Sequence, residues 1–104
     1  NICGKTRFAA RFGGEEFAII FPGEGAGVVM AALESIRNDV ASRALRRRST
    51  NDDLGSVTVS AGSAQRQKGE TAASLLERAD AALYESKRAG RNCVTPASSL
   101  EKAA

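Results

Sequence analysis

The sequence predicts an α/β fold, a mixed sheet with flanking helices. Three observations lead there. Short segments at 7–12, 16–21 and 56–62 alternate with period two or are densely apolar, as strands do. Two longer segments, about 26–47 and 71–89, repeat apolar residues at helical spacing. The segments follow one another as hairpin, helix, strand, helix and short strand, an order that layers helices on a sheet.

Each element has its own justification. In "RFAARF", Phe8, Ala10 and Phe12 face one way and Arg7, Ala9 and Arg11 the other, as in a half-buried strand. Gly13 and Gly14 supply the positive φ values that a two-residue hairpin turn wants. "EFAIIF" at 16–21 is apolar on both faces and predicts a strand covered on both sides, ended by Pro22 and Gly23. In the first helix, Val29, Leu33, Ile36, Val40 and Ala44 form one stripe. "STNDDLGS" at 49–56 is a loop by composition. In "SVTVSAG", Val57, Val59 and Ala61 point inward and Thr58 and Ser60 outward. The second helix takes Thr71 as N-cap, buries Leu76, Ala79 and Leu83, and closes on Gly90. Tyr84 is expected at the core edge, "NCVT" at 92–95 is a short strand, and 96–104 is a loose C-terminal tail.

A chain of 104 residues, 42% hydrophobic and 26% charged, suits one soluble domain. No apolar run approaches the roughly 20 residues of a membrane span, and "NICGKTRFAA" lacks the apolar segment of a signal peptide. The net charge of +3 is compatible with an anionic ligand but does not argue for nucleic acid. The basic run from Arg43 to Ser49 reads first as a solvated helix end. Cys3 and Cys93 stand far apart without a CxxC spacing, which points to a reduced, cytoplasmic protein. With no histidine, every mechanism that needs an imidazole base is excluded. An enzyme built from this chain must work with carboxylates, cations, backbone amides and a metal.

Two clusters could carry such chemistry. The first is Gly13-Gly14-Glu15-Glu16: the glycines let a phosphate approach the backbone, and carboxylates are hard ligands suited to Mg²⁺. The competing reading is a plain hairpin with two solvated glutamates. The second is Lys87 and Arg91, a point charge and a bidentate fork suited to a polyphosphate. Cations also collect at helix C-termini because of the dipole, and Arg88 belongs to the same charged end. Lys87 and Arg91 would share a face only if the helix ran through Arg91, and Gly90 is placed to end it first. Asp80, between alanines, reads as a local hydrogen-bonding residue rather than a catalytic one.

Together, "RFGGEEF", "AIIFP", "VTVSAG" and "ADAALYESKRAGRN" resemble the GGDEF family of diguanylate cyclases over roughly residues 5–95. The family's signature loop stands here as Gly13, Gly14, Glu15, Glu16 and Phe17, and its closing motif as Ala79 to Asn92. The resemblance implies condensation of two GTP molecules to cyclic di-GMP with release of pyrophosphate, and Mg²⁺ or Mn²⁺ as cofactor. It implies Glu15 as metal ligand and Glu15 and Glu16 as the catalytic carboxylates, with Glu16 supporting the loop or metal site. Gly13 and Gly14 would lie against the phosphates, Lys87 and Arg91 would bind the β- and γ-phosphates, and Phe17 would anchor the loop in the core.

Two departures qualify the resemblance. The family's product-inhibition motif, Arg-x-x-Asp, is replaced by Gly4-Lys5-Thr6-Arg7, so no inhibitory site is expected. The family domain also begins with a helix, a strand carrying a second metal-binding aspartate, and guanine-binding residues, none of which is in this sequence. Residues 1–95 are therefore expected to be a partial, truncated domain, inactive alone, from a parent with an upstream sensory or regulatory domain. An exposed sheet edge predicts a homodimer, with a swapped or non-native arrangement as the form open to this fragment. The alternative function is a catalytically silent module that binds GTP or cyclic di-GMP as a receptor. A small RNA-binding domain built on Arg43 to Arg48 is disfavoured, because aromatics are 5% of the chain and no stacking platform is evident.

Overall fold

The computed structural model describes residues 7–48 and 57–98, with the side chains of 44–48 outside that description. The elements are β1 (Phe8–Gly13), β2 (Glu16–Ile20), α1 (Ala26–Arg48), β3 (Ala61–Ser63), α2 (Ala72–Arg88) and β4 (Val94–Pro96). The order is the expected one. Both kinds of strand pairing occur, in two separate sheets: β1 and β2 are antiparallel, β3 and β4 parallel. The basic run beyond Arg43, the loop at 49–56 and residues 99–104 of the tail fall outside the described residues or side chains.

The centre of the described structure is the unit β3-α2-β4. Helices α1 and α2 both pack on the β3–β4 pair and make no close backbone contact with each other, so the pair lies between them. This is the usual setting of a parallel pair, which needs cover on both faces. Helix α2 starts where the sequence places it: the Thr71 hydroxyl accepts from the Ser74 N–H at 3.1 Å. It ends on Ala89, with Gly90 at φ +112°. Gly62 of β3 faces the helix at backbone distance. A Cβ there would fall on the backbone of Ala79 and Leu83 and within 2.7 Å of the Ala82 carbonyl carbon. Only glycine permits this approach.

The buried side of α2 is turned relative to expectation. Leu75, Ala79, Ala82, Leu83 and Ser86 face inward, while Leu76 is 44% exposed. Ala79, Ala82 and Ser86 meet β3 and β4. Tyr84, expected at the core edge, is exposed. In α1, Val29, Leu33, Ile36 and Val40 are half-buried as predicted, and Ala32 is buried beside them. Ser63 of β3 donates to the Met30 thioether at 3.3 Å, joining β3 to α1.

Three strand expectations change. The third strand was read over 56–62, but the ladder holds Ala61–Ser63 only. Val57–Ser60 alternate in sequence yet have no paired strand beside them among the described residues; alternation prescribes faces, and a ladder also needs a partner. The last strand shifts from 92–95 to Val94–Pro96, and Ala97 N–H continues to Ser63 O at 2.7 Å. The hairpin strand at 16–21 is not covered on both sides. Phe17 is 70% and Ile20 62% exposed, matched on β1 by Phe8 and Phe12. Phe17 is thus no core anchor here: the hairpin is a two-stranded sheet of its own, and no described strand or helix lies close enough to cover Phe17. Ala18, Ile19 and Phe21 are half-buried. The base of the hairpin is closed by Arg7, whose Nε and Nη2 each donate to the Glu24 carboxylate at 2.6 Å while its Cζ lies 4.9 Å from the Phe21 ring centroid.

A buried ion pair sets the other end of α2. Glu70 has no exposed side-chain surface, and Arg78 Nη1 reaches its two oxygens at 2.9 and 3.1 Å. The Gln67 N–H and the Ser74 hydroxyl donate to the same carboxylate at 3.0 and 2.8 Å. Arg78 also donates to Gln65 O at 3.1 Å and to Ser98 O, tying the loop before α2 to the segment after β4. Burial pushes the Glu70 pKa up. The hydrogen bonds from Gln67, Ser74 and Arg78, together with the Arg78 charge, outweigh it and hold the carboxyl below its ordinary value.

Two stability predictions follow from these contacts. Gly62→Ala should destabilise the chain by about 1–3 kcal/mol or prevent folding, whereas Gly27→Ala, in open space on α1, should not; urea unfolding compares them. A carboxyl with a depressed folded pKa stabilises above its unfolded value of 4.5, and that contribution is lost as pH falls through the lower folded value. Thermal melts from pH 7 to pH 2 should therefore show Glu70→Gln less stable at neutral pH and less sensitive to acid than the parent chain. Parallel curves for the two would refute this role.

Candidate functional site

The signature segment forms the hairpin tip. Gly13 pairs with Glu16 across the end of the ladder, so the turn itself is Gly14-Glu15 rather than Gly13-Gly14. Gly14 has φ +54°, as the first central position of a tight hairpin turn requires, and Gly13 has φ +117° at the irregularity in the β1 register. The Arg11 guanidinium donates to the Gly14 carbonyl from Nε (3.2 Å) and Nη2 (2.9 Å), clasping the turn from beneath. Glu15 stands exposed at the tip and makes no hydrogen bond or ion pair with the described residues. Glu16 opens β2, and its Oε2 lies 3.9 Å from Lys87 Nζ on α2. The two glutamates thus have different surroundings, as their adjacent positions predict.

Lys87 is held there by its neighbour. Ser86 is fully buried: its hydroxyl bonds the Ala61 carbonyl at 2.7 Å and shares a 2.7 Å hydrogen bond with the Thr95 hydroxyl. The Ser86 carbonyl accepts from Arg91 N–H at 3.0 Å and from the Cys93 thiol at 3.4 Å. With Ser86 pinned between β3 and β4, Lys87 is turned to the half-exposed side that faces the hairpin. Arg88 turns away and pairs with Glu85 at 3.3 Å. The helix ends at Arg88, so Arg91 is not on a helical face with Lys87; it sits in the following turn at φ +65°, exposed. The structure therefore brings Glu16 and Lys87 together, with Gly13, Gly14 and Glu15 beside that contact on the hairpin tip, and leaves Arg91 on the adjoining turn.

Between hairpin and helix lies a cleft of about 180 Å³, lined by Glu16, Asp80, Leu83, Tyr84 and Lys87. Asp80 and Tyr84 were not singled out for the site by sequence reasoning. The signal was available: positions 80, 84 and 87 are four and three apart on a helix and so share a face. Ser86 was missed for a related reason, since a small polar residue on an apolar stripe marks a buried hydrogen bond only when the strand it meets is known. No group of three or more His, Cys, Asp or Glu positioned to hold a metal is found among the described residues. The site does carry two hard carboxylate donors on an exposed turn, which fits Mg²⁺ held by one or two protein carboxylates with phosphates completing its shell.

Comparisons with known proteins give the family. The family model "Diguanylate cyclase, GGDEF domain" matches residues 1–93, and the chain belongs to that family. It is 36% identical over 96 residues to diguanylate cyclase VdcA of Vibrio cholerae, covering 92% of this chain and 28% of that protein. It is 43% identical over 88 residues to diguanylate cyclase A of Treponema denticola, covering 84% and 23%. The GGDEF domain of DgcB from Caulobacter crescentus, solved in complex with c-di-GMP, superposes with a TM-score of 0.85 at 62% identity, over 94% of this chain and 57% of that one. The chain thus spans about a quarter of the length of the first two relatives. Diguanylate cyclases of this family depend on a metal. Among the described residues no helix is long and apolar enough to cross a membrane.

The two neighbours at the end of α2 should respond differently to substitution. Ser86→Ala removes the buried donor to the Ala61 carbonyl and the buried partner of the Thr95 hydroxyl and should cost about 1–3 kcal/mol. Lys87→Met removes only a part-exposed ion pair and should cost under about 1 kcal/mol. Urea unfolding of the two variants reads this contrast directly.

Proposed function

We propose that this chain is the C-terminal portion of a diguanylate cyclase domain, which when complete condenses two GTP molecules into cyclic di-GMP. In that reaction the 3′-hydroxyl of each nucleotide attacks the α-phosphorus of the other, and pyrophosphate leaves each. The observation that carries the reading is the meeting of Glu16, next to the Gly14-Glu15 turn, with Lys87 across a cleft that Asp80 also lines. Carboxylates and a cation face one space, which is what a metal–polyphosphate substrate requires.

The roles follow from position. Glu15, exposed and without a partner among the described residues, would hold the divalent cation, Mg²⁺ or Mn²⁺, and accept the hydroxyl proton. That cation, when bound, neutralises phosphate charge and lowers the pKa of the attacking hydroxyl. Glu16 would support the same carboxylate site from β2. Gly13 and Gly14 carry no side chain and meet nothing within 4 Å on that side, so phosphate oxygens can approach the turn backbone. Lys87 and Arg91 would bind the β- and γ-phosphates and stabilise the charge that develops on the leaving pyrophosphate. The residues that select guanine lie outside residues 1–104, so this chain alone would not turn over. A cytoplasmic domain controlled by an upstream sensory region of a longer protein is the setting that fits.

A second reading, a module that binds cyclic di-GMP without making it, draws on one finding: the DgcB domain was solved with that ligand. Against it, the aspartate position of the family's inhibitory motif is Arg7, which is engaged with Glu24.

Three measurements test the proposal. Chain 1–104 with GTP and Mg²⁺ should give no cyclic di-GMP, and product from the pure chain would contradict the expected inactivity. In the full-length protein, Glu15→Ala should lower kcat by about 10²-fold or more and Lys87→Ala should raise KM for GTP about tenfold; unchanged kinetics in either would overturn the assigned roles. The exposed apolar hairpin face of Phe8, Phe12 and Ile20 should make the isolated chain self-associate, and a monomer by light scattering at high concentration would contradict this.

A further inference from the structure

The turn that carries Arg91 is conformationally unusual. Gly90, Arg91 and Asn92 have φ of +112°, +65° and +51°, so two consecutive residues with side chains sit in the left-handed region. Such residues persist only where their surroundings hold them. Three partners do so here. The Ser86 carbonyl accepts from Arg91 N–H at 3.0 Å. The Ser60 hydroxyl accepts from Asn92 N–H at 3.1 Å. The Asn92 side-chain oxygen accepts from Arg37 Nη1 at 3.0 Å, a bond that reaches across from α1. Arg37 is itself aimed by Glu34, one helical turn earlier, whose carboxylate accepts from its Nε at 2.7 Å, and the Arg37 side chain is only 22% exposed.

Arg91 has no such restraint on its own side chain. Its guanidinium makes no hydrogen bond or ion pair with the described residues. Where that guanidinium can reach is therefore set by the backbone at positions 91 and 92. Without the Arg37 bond, Asn92 is held through its N–H alone. The turn can then relax toward negative φ, which swings the Arg91 Cα–Cβ bond to a new direction.

We propose that Arg37 is a positioning residue for Arg91: it locks the left-handed turn through Asn92 and so fixes the angle at which Arg91 meets a polyphosphate. This rests on the reading of Arg91 as a phosphate ligand, and it adds α1 to the elements that build the site. Arg37 need not touch the ligand to act.

The test titrates chain 1–104 with inorganic tripolyphosphate in Mg²⁺ and compares Arg91→Ala, Arg37→Ala, Asn92→Gly and the double variant Arg37→Ala/Arg91→Ala. Asn92→Gly keeps the charge and tolerates positive φ, and removes only the acceptor of Arg37. Arg91→Ala should weaken binding. Arg37→Ala and Asn92→Gly should each weaken it roughly three- to tenfold, the scale of one hydrogen bond's net contribution. Arg37→Ala should add little once Arg91 is gone. No binding by the unsubstituted chain, or no loss with Arg91→Ala, overturns the phosphate reading and this inference with it. If Arg91→Ala weakens binding but Arg37→Ala and Asn92→Gly stay within twofold, only the positioning role fails. It fails equally if Arg37→Ala weakens binding as much in the Arg91→Ala background, because Arg37 would then act through its own charge. Should Arg37→Ala not fold, Asn92→Gly decides alone.

Discussion

The arrangement at the candidate site depends on one buried hydroxyl. Ser86 is locked to Ala61 on β3 and Thr95 on β4, and its carbonyl takes the N–H of Arg91. A single residue therefore orients the last turn of α2 and the turn after it. Gly62 makes this possible, because β3 can approach the helix backbone only where no Cβ intervenes. The consequence reaches the cleft in one step: with Ser86 inside, the next residue, Lys87, lies about 100° around the helix, on the flank that meets Glu16.

The two halves of the site are built differently. The cationic half stands on a helix held at both ends, by Glu70 and Arg78 near its start and by Ser86 near its finish. The carboxylate half stands on a two-stranded hairpin with Phe8, Phe12, Phe17 and Ile20 exposed. Arg11 clasps the turn and Arg7 closes the base on Glu24, and the ion pair of Glu16 with Lys87 joins the hairpin to α2. An exposed ion pair of this kind is worth little on its own, so a phosphate can exchange for Glu16 at Lys87 at low cost.

Much of this was readable in the sequence, and the failures share a cause. Helices were legible because their stripes and caps are local: Thr71 as N-cap, Gly90 after the C-cap, and Val29, Leu33, Ile36 and Val40 inward. The tip was legible because Gly-Gly demands a turn, though its centre falls one residue later. What failed was everything that depends on a partner far away in the chain. Alternation at Val57 and Val59 could not say whether a strand would pair there. The apolar run 16–21 could not say that its faces would lack cover. Leu76 was read onto the buried side of α2, yet it is exposed and Leu75 is half-buried. The chemistry of Glu15, Glu16, Lys87 and Arg91 entered through residue type, but the meeting of Glu16 with Lys87 needed the fold. Asn92 and Arg37, 55 residues apart, carry no local signal that they meet.

The central claim is that the hairpin tip and the end of α2 act as one binding face. Amide chemical-shift mapping of chain 1–104 during titration with Mg²⁺ and inorganic tripolyphosphate tests it most directly. The account predicts that Gly13–Glu16 and Lys87–Asn92 shift together over one concentration range, while the first turns of α1 stay still. Shifts confined to one of the two segments, or following the basic end of α1 instead, would contradict it.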